Sequence, residues 1–195
     1  SGIQAKPIEA LVAGQAEEVR SLSRKLLKVQ EVSHVISTEL DLKRLLEKLM
    51  HAVLELVMAE RGFFILRAAG AAEDTILVAR SADGEAVEHP EIKISRAICQ
   101  EAIQTGQPVI TSCAMDDGRF SGSKSVQDLR LQSILCLPMV IHDRVLGVLY
   151  LDNRLRKQAF SEDDLRVLQT FSAQAAISIA NARLSQEIQE SNREL

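Results

Sequence analysis

From Ile8 to Ile36 the apolar residues recur on a heptad, a narrower stripe than a core-facing helix would carry. Val12, Val19 and Leu26 hold one seam position, with Ser33 next in register; Ile8, Leu22, Val29 and Ile36 hold the other, with Gln15 as the gap. Such a seam predicts a coiled coil, with an amphipathic helix lying on its own domain as the alternative. Asp41 is a suitable N-cap for a second helix through Leu42, Leu45, Leu46, Leu49, Val53, Leu56 and Val57.

The period then changes. Phe63–Leu66 and Thr75–Val78 read as strands joined by a small, polar stretch from Ala68 to Asp74. Ser95 opens a helix that ends at Thr105-Gly106, with Pro108 enforcing the stop. Val109–Thr111 is a short strand, followed by a loop rich in Asp, Gly and Ser from Ser112 to Ser125. Its glycines and serines impose little order, so the loop is expected to be mobile without a ligand. Ser133–Ile141 and Val145–Asp152 form a hairpin turned at His142-Asp143, and both arms are nearly continuous apolar runs, as expected of strands covered on both faces. Ser161 and Asp164 open a last helix that continues to the end. The predicted fold class is α+β, an antiparallel sheet with helices packed on it. The second and last helices are expected to be neighbours, because both have apolar faces that need cover.

Composition narrows the function. Hydrophobic residues make up 46% and charged residues 26%, enough for a packed core. A net charge of −4, basic residues interleaved with acids, and 3% aromatics without Trp leave neither an electrostatic footprint nor stacking platforms for nucleic acid. No membrane partner is expected, since no segment approaches a bilayer-spanning length. Cys99, Cys113 and Cys136 are odd in number and lack a CxxC pair, which predicts free thiols in a reducing, cytoplasmic setting. Ser1-Gly2 reads as a cloning remnant, and the natural chain is expected to extend beyond both ends. Phosphate-cradling glycine motifs, paired metal-ligand histidines and a GxSxG elbow are all missing from the sequence. The reading is therefore not an enzyme.

Several blocks, in order, resemble the GAF domain family: Ala59–Leu66, Thr105–Ile110, Ser133–Met139, Val145–Asn153, Phe160–Leu165 and Phe171–Leu184. The resemblance covers roughly Val32 to Leu184 and looks most like bacterial multi-domain regulators. It implies an N-terminal coiled-coil or linker helix over 1–36, a sensory domain over 37–184, and from 185 to 195 the start of a signalling helix leading to an output module. It also implies helices on both faces of the sheet. The first and last helices would lie on one face, and a small-molecule pocket on the other, roofed by Ser95–Thr105 and Ser112–Arg130. Cyclic-nucleotide binding is disfavoured, because Arg154, Leu165 and Tyr150 depart from the residues such relatives carry; no Cys-His dipeptide suits a bilin, and no pocket histidine suits haem. The ligand and any cofactor stay unidentified.

Seven residues are candidates for ligand binding: Cys99 on the roofing helix, Asp116, Asp117 and Phe120 in the loop, Arg130 and Ser133 before a buried strand, and Tyr150 on its partner. A homodimer is expected through Val19, Leu22, Leu26 and Val29, extended by the last helix through Ile177, Leu184, Ile188 and Leu195, with Asn181 as a register-setting polar residue. The function expected is a small-molecule-sensing regulatory domain that passes its ligand state through dimeric flanking helices. The alternatives are a dimerisation spacer without ligand and a cysteine-based redox or nitric-oxide sensor.

Overall fold

Helix α1 spans Leu42–Val57, and Asp41 caps it: Oδ1 accepts the Arg44 N–H at 2.8 Å. A computed structural model describes residues 41–67 and 74–193, together with Gly14, Ala16, Glu17, Val19, Arg20, Ser23, Arg24, Leu27 and Gln30. It falls into two units, Ser1–Thr38 and Glu39–Leu195. In the first, the described residues are helical and exposed. Of the predicted seam, Val19 is among them; Ile8, Val12, Gln15, Leu22, Leu26, Val29, Ser33 and Ile36 lie outside the described residues.

The second unit is built on five strands: β1 Arg61–Leu66, β2 Thr75–Ser81, β3 Val109–Thr111, β4 Ser133–Ile141 and β5 Arg144–Asn153. They form one antiparallel sheet in the order β2-β1-β5-β4-β3. His142 and Asp143 turn β4 into β5, and both adopt positive φ, at 46° and 61°. That pair of left-handed residues matches the twist of a two-residue hairpin. Helix α2, Arg96–Thr105, ends at Gly106, whose φ of 64° lets its N–H reach Ala102 O at 3.0 Å. The last helix, α4 (Glu162–Arg193), opens on reciprocal bonds: Asp164 N–H to Ser161 Oγ and Ser161 N–H to Asp164 Oδ2, at 3.1 and 3.0 Å.

Both faces of the sheet are covered, which is why the central strands read as unbroken apolar runs. Phe63, Ile65, Ala79, Ile134, Cys136, Val148 and Tyr150 pack with Ile98, Cys99 and Ala102 of α2. Phe64, Leu135, Leu137, Leu149 and Leu151 alternate with them and are also buried. By the period of two they point to the other face, where α1 and α4 pack on the sheet and on each other. The expected adjacency of these helices therefore holds.

The stretch from Ser112 to Ser125 departs from an open loop. Ala114 N donates to Gln132 O (2.7 Å), tying the segment to the residue before β4, and bonds from Phe120 N to Asp117 O (2.9 Å) and Ser123 N to Phe120 O (2.8 Å) fold it into consecutive turns. It then runs into a short helix, α3, Lys124–Asp128. Ala114, Phe120 and Val126 are buried in the α2-side core. Isolated apolar residues among Asp, Gly and Ser carry no period, so their anchoring was invisible to pattern. Among the described residues no helix is long and apolar enough to cross a membrane.

Candidate functional site

A cleft of about 270 Å³ opens between α2 and the edge strand β2. Ile65, Ile76, Ile94 and Cys99 give it apolar walls, and Asp74, Glu91, Arg96 and Gln100 contribute the polar ones. Arg96 and Gln100 stand one turn apart on α2, four residues being the spacing that brings two side chains to one face. Both are exposed, and neither makes a hydrogen bond or ion pair with a described residue. Among the described residues Glu91 pairs with His89, at 3.6 Å between two exposed groups, a contact worth little.

Two polar ties hold the cleft's wall in place. The Ser95 N–H donates to Tyr150 Oη at 3.3 Å, fixing the start of α2 to β5. Ser95 Oγ lies 3.2 Å from Ser125 Oγ and does not cap the helix. The second tie is a buried ion pair. Arg61 donates from Nε to Asp152 Oδ1 at 2.8 Å and from an Nη to Oδ2 at 2.7 Å, with the two residues directly opposed on β1 and β5. The same guanidinium reaches Lys93 O at 3.5 Å and lies 5.9 Å from the Phe63 ring centroid. Arg61 thus links the sheet to the segment leading into α2. Burial pushes the Asp152 carboxyl up to about 6, against the pull of the Arg61 hydrogen bonds.

The seven predicted ligand residues separate into three settings. Cys99 lines the cleft. Phe120 and Tyr150 join Cys99 in one apolar cluster but are packed into it; the Tyr150 ring meets Phe63 edge-on at 5.7 Å, and burial pushes its phenol well above the usual value. Ser133 is buried and spends its hydroxyl on loop backbone, donating toward Ser112 O and Arg156 O and accepting from Ala159 N. Asp116, Asp117 and Arg130 sit on the outside of the loop region. Arg130 is exposed, with a φ of 52°. Asp117 pairs with Arg119 at 2.7 Å, and those hydrogen bonds hold its carboxyl below the usual value. Asp116 accepts from Cys113 Sγ at 2.9 Å, and Lys157 lies 3.5 Å away. The polar roof expected from Ser112 to Arg130 therefore does not line this cleft. Its apolar residues fill the space beneath it, leaving the opening on the β2 side of α2.

Sequence reasoning did not single out Ile65, Ile76, Ile94, Arg96 and Gln100. Their only local signal was ordinary strand and helix periodicity. The thiols divide similarly: Cys99 and Cys136 are buried and Cys113 is half-buried. Burial, aided by the neighbouring Cys99 thiol, pushes Cys136 well up. Among the described residues no cluster of His, Cys, Asp and Glu is fit to hold a metal.

A wider basin of about 440 Å³ lies at the end of α1, bordered by Leu54, Met58, Leu155, Glu60 and Arg156 among others. Both of its acids are already engaged: Glu60 accepts from Arg154 at 2.9 Å (backbone) and 2.6 Å (Nε), and Glu55 lies 3.2 Å from His51 Nε2. The smaller cleft is the better candidate, because Arg96 and Gln100 in its lining make no hydrogen bond or ion pair with a described residue.

Comparison with known proteins agrees with this architecture. A model of the family described as GAF domain matches residues 41–179. The chain is 37% identical over 81 residues to hybrid signal transduction histidine kinase G of Dictyostelium discoideum, covering 42% of this chain and 2% of that protein. It is 26% identical over 187 residues to the dual 3',5'-cyclic-AMP and -GMP phosphodiesterase 11 of Drosophila melanogaster, covering 88% of this chain and 13% of that one. The chain thus spans a small fraction of these relatives. Among solved structures, the GAF domain from an Acinetobacter phosphoenolpyruvate-protein phosphotransferase superposes with a TM-score of 0.67 at 21% identity, over 83% of this chain and 95% of that one.

Proposed function

This chain belongs to the GAF domain family, whose members are regulatory and sensory domains of signalling proteins, and from that premise we propose that it is a cytoplasmic ligand-sensing module with no enzymatic activity of its own. The observation that carries the reading is the cleft itself. An apolar pocket of about 270 Å³, with Arg96 and Gln100 in its lining and unpaired among the described residues, is the arrangement in which a small molecule is held by its body and oriented by its polar end. The test is native mass spectrometry of the gently purified protein. A co-purified small molecule is expected, and Ile76→Trp, which fills the cleft from β2, should remove it. Absence of any bound mass, together with no effect of added small molecules on thermal unfolding, would favour a spacer.

The ligand state must then reach another domain. A ligand can do this only by binding two arrangements unequally. The element suited to carry the bias is α4, whose 32 residues run for about 48 Å. Its exposed Ile177, Leu184 and Ile188, with Asn181 between, follow the four-three spacing of a coiled-coil seam. Together with Val19, Leu22, Leu26 and Val29 this face is proposed to pair with a second copy. Each such side chain contributes roughly 1.5–3 kcal/mol at full burial. Replacing Leu22 and Leu26 together by Glu should convert a dimer to monomer in sedimentation while the sheet domain keeps its circular dichroism. A double variant that stays dimeric would place the pairing surface elsewhere.

A further inference from the structure

We infer that the cleft selects a small aliphatic zwitterion, an apolar α-amino acid of the size of leucine; the inference rests on the cleft being the ligand site. Size comes first. The volume of about 270 Å³ lies just under the roughly 300–1,000 Å³ of sites that take drug-sized ligands, which suits a molecule as small as leucine. A cyclic nucleotide is more than twice as large. The walls come next. Ile65, Ile76 and Ile94 are branched aliphatic residues, and no described lining residue is aromatic, so an alkyl body is matched while a ring finds no stacking partner among them.

The edge decides the rest. Arg96 is a cation without a partner among the described residues, and Gln100, one turn on, adds an amide donor. Together they suit a carboxylate. Glu91, paired among the described residues with an exposed histidine at 3.6 Å, suits an ammonium. A fatty acid would leave Glu91 unanswered, and an alkylamine would leave Arg96 so. A molecule with both charges at one end and an alkyl group at the other answers Arg96, Gln100, Glu91 and the aliphatic walls together.

Isothermal titration with L-leucine, isocaproate and isoamylamine separates these cases, because the three share an alkyl body and differ in charge. L-Leucine should bind in the micromolar range and each singly charged analogue about tenfold more weakly, the effect of one lost charged hydrogen bond. Arg96→Gln, an exposed substitution that leaves the core alone, should weaken leucine about tenfold and leave isoamylamine unchanged. Glu91→Gln should do the converse with isocaproate. If isocaproate or isoamylamine binds as tightly as leucine, the zwitterion is overturned while the cleft stands. Leucine binding that ignores both Arg96→Gln and Ile76→Trp would overturn the cleft as well. Silence with all three probes overturns the amino-acid class, and the co-purified mass then decides the cleft separately.

Discussion

Arg61→Met should lower the unfolding free energy by about 3–5 kcal/mol at neutral pH, because it strands the Asp152 carboxylate in the core. Asp152 is wholly buried, and Arg61 supplies its two hydrogen bonds at 2.8 and 2.7 Å. The cost should depend on pH in a definite direction. With Arg61 in place the folded-state carboxyl already lies at about 6, above its ordinary 3.8. A raised value means that the native state holds the proton more tightly. The stability it contributes is complete below about pH 4 and is lost as pH rises through about 6. Removing the guanidinium moves the folded value higher still, so the added penalty grows toward neutral pH and is small near pH 5, where the carboxyl is already protonated. Urea unfolding of wild type and variant at the two pH values measures this. Arg61→Met combined with Asp152→Leu should recover most of the loss, since two apolar residues leave no buried charge. Equal damage at both pH values would mean that Arg61 acts through packing, or through its bond to Lys93 O, and not through the pair.

Gly147→Ala should be the more damaging of two glycine substitutions in the sheet. A Cβ on Gly147 would sit 2.0 Å from Ile65 O and 2.9 Å from Leu66 Cα, both backbone atoms of β1. Neither can move without breaking the β1–β5 ladder, in which Gly147 opposes Leu66. A cost of about 3 kcal/mol, the upper end for overpacking, corresponds to a midpoint roughly 6–12 °C lower for a domain of this size. Gly62 is the control. Its added Cβ would meet the Met50 sulfur at 2.3 Å, a nearer contact than most but the end of a flexible side chain, so Gly62→Ala should cost about 1 kcal/mol. Calorimetry of the two variants checks the order. Since Ile65 lines the cleft, Gly147→Ala should also weaken any ligand that Ile76→Trp displaces. If Gly147→Ala melts within about 2 °C of wild type, β1 yields more readily than its hydrogen-bonded position implies.

Much of the architecture was legible along the chain because the deciding interactions are local. Asp41, Ser161 with Asp164, and Gly106 with Pro108 are boundary signals that act within a turn, and each stands at the helix end expected of it. The apolar runs either side of His142-Asp143 pointed to a hairpin covered on both faces, since strands with one face in water alternate apolar with polar residues. What these patterns could not decide is which apolar groups fill space and which border it. Phe120 and Tyr150 look from sequence like pocket residues, yet tertiary packing places them in one cluster with Cys99 and leaves the opening on the far side of α2. Ile65, Ile76 and Arg96 come from three segments whose meeting no local period encodes. The same holds for Arg61 and Asp152, 91 residues apart. Each alone reads as a surface charge, and only strands β1 and β5 lying side by side make them a buried pair, because desolvation and volume are properties of the assembled core and not of any stretch of chain.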